Sequence, residues 1–157
     1  MFLMLGGCAF GQNAPSLEAR VRVLEDKDKI QRVLLDYGRT LDAKDFAAYS
    51  QLFAKDGEWV GGFGSVHGLA AIQAFMEKNI GAANAGATYH LLSNFEIDVH
   101  GDTATAWSRW AFVVKGADGK PSVAQGGHYD DTLVRENGYW RFKKRVAAAD
   151  IAPPMPK

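Results

Sequence analysis

Apolar and polar residues alternate most clearly near the C-terminal end of the chain. Asn137-Gly138, a common two-residue hairpin turn, separates residues 127–136 from residues 139–146, and both segments are rich in aromatic and β-branched side chains. A two-residue loop places Leu133 opposite Phe142, and directly opposed residues share one face of a sheet. The pattern therefore predicts an antiparallel hairpin with one apolar face.

The register of this hairpin predicts which side chains point to the interior. Because Trp140 and Phe142 are expected inside, the residues opposite them face the same way. The inward set on the first strand is Tyr129, Asp131, Leu133 and Arg135. The outward set on the two strands includes His128, Asp130, Thr132, Arg141, Lys143 and Arg145.

Asp131 is the exception in the inward set, because it directs a carboxylate at an apolar interior. It is expected opposite Lys144, and an apolar setting would raise its pKa and suit it to acid/base chemistry. The structural alternatives are an internal ion pair with Arg135 or Arg109, or a carboxylate that reaches water at the sheet edge.

An earlier hairpin is predicted to turn at residues 100–103. Its inward residues are Phe95, Ile97 and Val99 on one strand and Ala104, Ala106, Ser108, Trp110 and Phe112 on the other. Small side chains near the turn and large ones farther from it indicate an interior that widens like a cone.

The N-terminal part of the chain has helical spacing instead. Apolar residues recur at steps of three and four from Leu17 to Leu41. The polar run 25–29 has no apolar face, which predicts a break there, with Asp26 or Asp28 as the N-cap of a second segment.

Two shorter helices are expected to follow. The first starts at the N-cap Asp45 and ends at Asp56-Gly57, with a strand beginning at Glu58; its inward residues are Phe46, Tyr49, Leu52 and Phe53. The second occupies residues 69–79, and the small residues 81–88 after it are a candidate lid or pocket rim. Helices followed by antiparallel strands predict an α+β domain with its helices on one face of the sheet.

Composition excludes several classes of protein. A chain of 157 residues makes one domain with its own core, and 18 basic residues balance 18 acidic ones without a basic cluster, which argues against nucleic acid as a partner. No apolar run is long enough to span a membrane. Cys8 is the single cysteine, so no internal disulfide is expected, and with four scattered histidines the chain predicts no metal and no cofactor.

The first 16 residues differ in composition from the rest of the chain. An apolar start, a small-residue stretch and a polar stretch resemble the end of a secretory signal, and Leu5-Gly6-Gly7-Cys8 resembles a lipoprotein box that would place a lipid anchor on Cys8. We therefore divide the chain into a signal-like or disordered segment 1–16, a domain 17–148 and a Pro-rich tail 149–157. Export to the periplasm or beyond is expected if the signal is read, and a cytoplasmic location otherwise.

A set of short motifs follows in a defined order along the domain. The set comprises Tyr37, Leu41-Asp42, Asp45, Tyr49, Leu52-Phe53, Asp56, His90, Asn94, Gly101-Asp102-Thr103-Ala104, Gly127, Tyr129, Asp131, Arg135 and Trp140-Arg141-Phe142. In order and spacing it resembles the SnoaL-like domains of the nuclear transport factor 2-like superfamily. The resemblance implies a cystatin-like cone of curved antiparallel sheet closed by N-terminal helices around a cavity. It also implies frequent dimerisation through the outer surface of the sheet.

Two positions resemble the scytalone dehydratases within that superfamily. Asp42 and His90 match a hydrogen-bonded pair in which the histidine moves protons. A carboxylate on one imidazole nitrogen fixes the tautomer and leaves the other nitrogen free to take a proton. Val114 stands where those dehydratases have a second histidine, and Leu41 and Trp59 stand where they have two tyrosines. Because these positions differ, the resemblance does not imply the same substrate. Asp131 is similar to the acid/base aspartate of the SnoaL cyclases.

The resemblance implies two functional hypotheses of different classes. The first is a cofactor-independent lyase or isomerase, of dehydratase, ketoisomerase or cyclase type, that acts on a small hydrophobic carbonyl compound; its catalytic candidates are His90, Asp42 and Asp131. The second is a non-catalytic module that binds a small molecule in the same cavity. The ligand-contacting candidates are Tyr37, Tyr49, Trp59, Trp110, Phe112, Tyr129 and Arg135.

Each candidate also has a purely structural alternative. Asp42 could cap the end of the helix, His90 could cap the following strand, and the aromatic residues could pack the core. A metal site built from His90, Asp42 and Asp131 is less favoured, because no two of them are close in sequence. An exposed Trp107 on the outer sheet face suggests a partner surface, in keeping with a homodimer.

Overall fold

The structure is a computed structural model that describes residues 14–81 and 88–151. Its helices are α1 (Leu17–Asp42), α2 (Phe46–Ser50) and α3 (Leu69–Asn79), and its strands are β1 (Phe53–Gly61), β2 (Gly64–His67), β3 (Thr88–His100), β4 (Thr103–Lys115), β5 (Pro121–Glu136) and β6 (Tyr139–Ile151). The strands form one curved sheet in the order β2-β1-β6-β5-β4-β3. The predicted α+β class is confirmed. The sheet is antiparallel except that β1 pairs with β6 in parallel.

Helix α1 is continuous, so the predicted break at residues 25–29 is wrong. The helix starts after Ser16, whose side chain accepts a hydrogen bond from the Ala19 N–H. Asp26 is not a cap: it is buried and accepts two hydrogen bonds from Arg135, at 2.9 and 2.7 Å, and one from Trp140 Nε1 at 3.2 Å. A carboxylate thus occupies an inward position of α1, which is why the sequence shows no apolar face there.

Helix α2 starts as predicted and ends sooner. Asp45 is its N-cap and accepts from the Ala48 N–H at 3.0 Å, but the helix ends at Ser50. Phe53 already belongs to β1, where it pairs with Phe142 of β6. The predicted strand start at Glu58 is therefore wrong, because pairing with a distant strand converts this segment from helix to sheet.

Helix α3 occupies the predicted residues, with Ile72 and Met76 buried. Most of the predicted rim, residues 82–87, lies outside the described residues. So do residues 1–13 and 152–157, which hold Cys8, most of the signal-like segment and most of the predicted tail, and these assignments stay predictions. Residues 149–151, which were placed in the tail, lie in β6. No helix in the described part of the chain is both long and apolar enough to cross a membrane.

The β3–β4 hairpin follows the predicted register near its turn and departs from it farther away. Ile97 pairs with Ala106 as expected, but the register shifts between Ser93 and Glu96. Asn94 adopts a positive φ of 55° in this bulge, a conformation that asparagine tolerates better than most residues. Because a one-residue shift exchanges the two faces of a strand, His90 lies on the inner face, opposite Phe112.

A second bulge changes the β5–β6 hairpin. Leu133 pairs with Phe142 as predicted, but Thr132 pairs with Lys144 and Asp131 with Arg145, so one extra residue lies in β6. Asp131 faces inward as predicted. The prediction that Asp131 lies opposite Lys144 is wrong, because Arg145 takes that position. The prediction that Arg145 faces outward is also wrong, because its side chain is fully buried.

The core lies between the helices and the inner face of the sheet, which is the face that α1 covers. Its fully buried apolar members include Ile30, Leu34, Tyr49, Phe53, Ile72, Met76 and Phe142. Hydrophobic burial of this face holds α1 against β3 and β6. The last turn of α1 and the first residues of β3 are thereby brought together.

Candidate active site

Asp42 and His90 form the hydrogen-bonded pair that the resemblance to the scytalone dehydratases implied. His90 Nδ1 lies 2.6 Å from Asp42 Oδ1, and the His90 backbone N–H donates to Asp42 Oδ2 at 2.8 Å. Both Asp42 carboxylate oxygens therefore bond His90, one at its ring and one at its backbone N–H, and these two contacts hold the imidazole in place. The side chains are 14% and 20% exposed, so the pair is sheltered from solvent and still accessible.

The position of Asp42 argues against simple helix capping. It is the last residue of α1, where the partial negative charge of the helix dipole disfavours a carboxylate. Its two hydrogen bonds go to β3 rather than to the helix. His90 offsets this unfavourable placement, so Asp42 serves the histidine rather than the end of the helix.

Gly38 allows α1 to approach β3 closely at this point. A Cβ atom at this position would lie 2.8 Å from Leu92 Cδ1 and 3.6 Å from His90 Cβ. The glycine lowers helix propensity near the C-terminal end of α1, but the close approach that it allows lets the Asp42 carboxylate reach the histidine.

Aromatic side chains surround the imidazole on the sheet side. The His90 ring lies 4.9 Å from Phe112 and 6.4 Å from Trp110, measured between ring centroids. Trp110 stacks on Tyr129 at 5.9 Å and donates its Nε1–H to the His128 carbonyl. Trp110 and Phe112 are half-buried. Together these residues form an apolar wall that runs from the histidine into the interior.

Tyr37 connects this wall to the helices. It lies edge-on to Tyr129 at 5.3 Å and 4.9 Å from Tyr49, and its hydroxyl accepts a hydrogen bond from Trp59 Nε1 at 3.0 Å. Since that bond uses a lone pair, the phenolic proton remains available for another acceptor. Tyr37, Tyr49, Trp59 and Tyr129 are all buried.

Asp131 is ion-paired with Arg145 inside the same interior. Arg145 Nε donates to Asp131 Oδ1 at 2.8 Å and Arg145 Nη2 donates to Oδ2 at 2.6 Å, and both side chains are fully buried. Burial raises the pKa of the Asp131 carboxyl, and the charge and hydrogen bonds of Arg145 oppose that rise. The two predicted arginine partners, Arg135 and Arg109, are not the ones it uses.

Three aromatic rings enclose the Arg145 guanidinium. Its Cζ atom lies 4.0 Å from the centre of the Tyr37 ring and 4.1 Å from those of Tyr129 and Phe142. Burial tends to lower the pKa of Arg145, but the charge and hydrogen bonds of Asp131 raise it above its ordinary value, so the residue stays a cation. Cation–π contact and the ion pair together compensate its removal from water.

Arg135 lies apart from this cluster. It pairs with Asp26 and also with Asp102 at 2.9 Å, and its guanidinium stacks on Trp140. These contacts hold α1 to the β5–β6 hairpin. The structure therefore does not bring Arg135 together with the Asp42–His90 pair.

Sequence reasoning missed Arg145 and the role of Asp26. Strand parity counted through Lys143 predicts an outward Arg145, and nothing in the sequence marks a bulge there. Asp26 looked like a cap because its partner Arg135 is 109 residues away. For the bulge that turns His90 inward, Asn94 was the one available signal.

The outer face of the sheet carries a different group of residues. An open hollow of about 380 Å³ is lined by Glu96, Asp98, Thr105, Trp107, Asp130 and Lys144, among others. Beside it His128 stacks on Trp107 and bonds Asp150 at 2.8 Å. This hollow is separated from His90 by the sheet. In residues 14–81 and 88–151 no group of three or more His, Cys, Asp or Glu side chains is placed to hold a metal ion.

Comparisons with known proteins agree with this fold. An uncharacterized protein of Mycobacterium tuberculosis is 30% identical over 131 residues, which is 80% of this chain and 86% of that protein. A nuclear transport factor 2-like protein with a cystatin-like fold from Novosphingobium aromaticivorans superposes with a TM-score of 0.76 at 30% identity, covering 87% of this chain and 90% of that one.

A second structure from Novosphingobium aromaticivorans, provisionally named a scytalone dehydratase, superposes with a TM-score of 0.66 at 24% identity, covering 82% of this chain and 86% of that one. At that identity it shows a shared fold alone. The family model described as a SnoaL-like domain matches residues 22–146. Because that match covers most of the chain, the chain belongs to the SnoaL-like domain family.

Proposed function

We propose that this protein is a cofactor-independent acid/base enzyme, a lyase or isomerase that acts on a small hydrophobic carbonyl compound. Dehydration, ketoisomerisation and ring closure can each begin with removal of a proton from the carbon next to a carbonyl. The observation that carries the proposal is the 2.6 Å contact between Asp42 and His90 beside the apolar wall.

His90 is the proton-transfer group in this proposal. Asp42 accepts a hydrogen bond from the Nδ1–H of His90, which leaves the lone pair on Nε2 to take a proton from the substrate carbon. In the part of the chain that the structure describes, Nε2 makes no hydrogen bond to a protein acceptor or donor. Once His90 is protonated, the adjacent carboxylate stabilises the imidazolium. When the imidazolium delivers this proton to the product, His90 becomes neutral again.

Tyr37 is the proposed partner of the carbonyl oxygen. Trp59 Nε1 holds its oxygen in place from one side, so its proton can be donated to the negative charge that develops on the enolate. Trp110 and Phe112 would hold the apolar part of the substrate. Asp131 acts as the counter-ion of Arg145 in this scheme, because both of its oxygens are used by the guanidinium.

The relatives support this proposal only at the level of the family. A neighbour with the same fold is provisionally named a scytalone dehydratase, and a histidine and aspartate in the positions found here suit such chemistry.

The test is hydrogen–deuterium exchange at the α-carbon of a panel of cyclic ketones, followed by proton NMR in D₂O. Exchange reports proton removal whichever product forms later. His90→Gln is expected to slow exchange by about 100-fold or more, and Asp42→Asn by a smaller factor, because general acid/base groups typically contribute about 10²–10⁴ in rate. His67→Gln, a change at an exposed histidine, is the matched control and should exchange like wild type.

A binding module without turnover is the second candidate. It is favoured by the engagement of Asp131 with Arg145, which occupies the residue that resembles the cyclase acid/base group, and by Leu41 and Val114 at dehydratase positions. If wild type and His90→Gln bind a cyclic ketone equally in calorimetry and neither exchanges its α-hydrogens above buffer, the enzyme proposal fails and the binding module stands.

A further inference from the structure

Three buried polar atoms have no hydrogen-bond partner among the described residues. They are Tyr49 Oη, Ser108 Oγ and Arg145 Nη1. All three residues are essentially inaccessible to solvent. A buried polar group without a partner is costly, so each of these three atoms calls for an explanation.

The three atoms belong to residues around a single cage. Arg145 stacks against Tyr37 and Tyr129, and Tyr49 packs against the same Tyr37 ring. Ser108 of β4 is the direct cross-strand partner of Tyr129 on the inner face. Burial raises the pKa of the Tyr49 hydroxyl well above 10, and the neighbouring Tyr37 adds to this, so Tyr49 is a neutral O–H donor at physiological pH.

We propose that Tyr49, Ser108 and Arg145 form an oxygen-binding subsite between the helices and the inner face of the sheet, which receives a neutral carbonyl or hydroxyl oxygen of the substrate remote from the reacting carbon. Arg145 contributes an N–H donor, and the two hydroxyls contribute donors that can also accept. This inference rests on the proposed function and extends it to the class of substrate.

The charge of the cage determines which oxygen it accepts. Asp131 neutralises Arg145 through two hydrogen bonds, so the pair carries no net charge toward a ligand. A carboxylate or phosphate would add an uncompensated charge beside Asp131 in a buried setting, which is unfavourable. A neutral oxygen satisfies the free donors without that cost.

The wall of the site links the subsite to His90. Trp110 lies 6.4 Å from His90 and 5.9 Å from Tyr129, and Tyr129 lies against Arg145. A flat cyclic compound that lies along these rings would present one end to His90 and the other to the cage. The subsite would therefore select substrates with an oxygen substituent at each end, and it would orient them.

Tyr49→Phe and Ser108→Ala test the subsite with little change in shape. Neither hydroxyl has a hydrogen-bond partner among the described residues, so each variant is expected to fold and to raise Tm, by about 2–4 °C if a typical desolvation cost is relieved. Tyr37→Phe is the matched control. Its hydroxyl accepts a hydrogen bond from Trp59, so its removal should lower Tm.

Binding is measured by calorimetry with a matched pair of probes, 2-tetralone and 6-hydroxy-2-tetralone. Wild type is expected to bind the hydroxylated probe about three- to tenfold more tightly, the effect of one hydrogen bond with a neutral donor. Tyr49→Phe and Ser108→Ala should reduce this ratio toward one, through a loss of affinity for the hydroxylated probe that exceeds any change in affinity for 2-tetralone.

Two results would overturn the subsite and leave the proposed function intact. One is equal affinity of wild type for the two probes. The other is a fall in Tm for both Tyr49→Phe and Ser108→Ala, which would show that the hydroxyls stabilise the ligand-free protein. Failure of both probes to bind and to exchange their α-hydrogens would instead count against the proposed function itself, and the subsite would fall with it.

Discussion

At the scale of single residues, Arg145 is a charged side chain held inside the protein by several contacts. It is fully buried, ion-paired with Asp131 and in contact with three aromatic rings. A buried ion pair adds little net stability compared with apolar packing, but the loss of one member leaves a bare charge in the interior. We therefore expect the main effect of the Arg145–Asp131 pair to be that it fixes the positions of the Tyr37 and Tyr129 rings.

Asp131→Asn is expected to lower the free energy of unfolding by about 3–5 kcal/mol, because Arg145 would remain buried without a counter-ion. Denaturant unfolding measures the change. Asp130→Asn, at the neighbouring exposed position, is the control and should cost less than about 0.5 kcal/mol. Similar losses in the two variants would show that the Asp131 carboxylate does not carry the buried charge pair.

At the scale of elements, the placement of the β-strands depends on local irregularities. A Cβ atom on Gly127 would lie 2.0 Å from the Ala148 carbonyl oxygen and 2.9 Å from the Trp110 ring. A backbone oxygen cannot move aside as a flexible side chain can. The absence of a side chain at Gly127 therefore lets β5 and β6 shift register there and lets Trp110 pack over the strand.

Gly127→Ala is expected to destabilise the fold by about 2–3 kcal/mol, at the upper end of the usual cost of overpacking. Gly126→Ala provides a matched control in the same strand. The nearest atom to its Cβ would be 3.6 Å away, an ordinary contact. Thermal unfolding of the two variants should differ clearly, and equal values would contradict the close approach of β6 at Gly127.

The attachment of α1 to the β5–β6 hairpin depends on Asp26. Hydrogen bonds from Arg135 lower the pKa of the Asp26 carboxyl below its usual 3.8, although burial acts the other way. A lowered pKa in the folded state gives stability that is present above about pH 4 and is lost as the pH falls through the folded-state value.

Asp26→Asn should therefore cost about 2 kcal/mol at pH 7, somewhat less than a fully buried pair, because Arg135 keeps Asp102 and Trp140 as partners. The difference from wild type should stay constant from pH 7 to pH 5 and shrink below pH 4. Urea unfolding at a series of pH values measures it. A difference that grew on acidification would contradict the assigned ion pair.

At the scale of the whole molecule, the outer face of the sheet remains the predicted dimer surface. Tyr89 and Leu91 of β3 point to that face and are 48% and 53% exposed. Trp107 is half-buried on the same face, beside the open hollow. Exposed apolar residues grouped on a sheet are typical of a surface that another protein covers.

We expect a homodimer at micromolar concentration, measured by light scattering coupled to size exclusion. Leu91→Glu should shift it toward monomer, because the interface would bury a charge. Leu35→Glu changes a leucine of similar exposure on α1 and should leave the dimer intact. A wild-type protein that is monomeric across the concentration series would remove the prediction.

The sequence by itself determined the features that depend on neighbours along the chain. The Asp45 N-cap, the Asn137-Gly138 turn and the spacing of α3 are set by backbone conformation and local hydrogen bonds, and all three were predicted correctly. Parity counted from a turn also held for Asp131, since no irregularity intervenes on its strand. The Asp42–His90 pair was predicted only through resemblance to a family.

Only the tertiary structure decided the features that depend on distant partners. Strand parity counted from the turn would have sent His90 outward and Arg145 outward, and a bulge in each strand reverses this. A bulge is stable when the side chains that it turns inward gain contacts with other elements. The bulge in β3 lets His90 bond Asp42 on α1, and the bulge in β6 lets Arg145 pair with Asp131 inside the aromatic cage. The same reason explains why Asp26 is buried in a continuous helix, since Arg135, which compensates its charge, is close only in the folded chain.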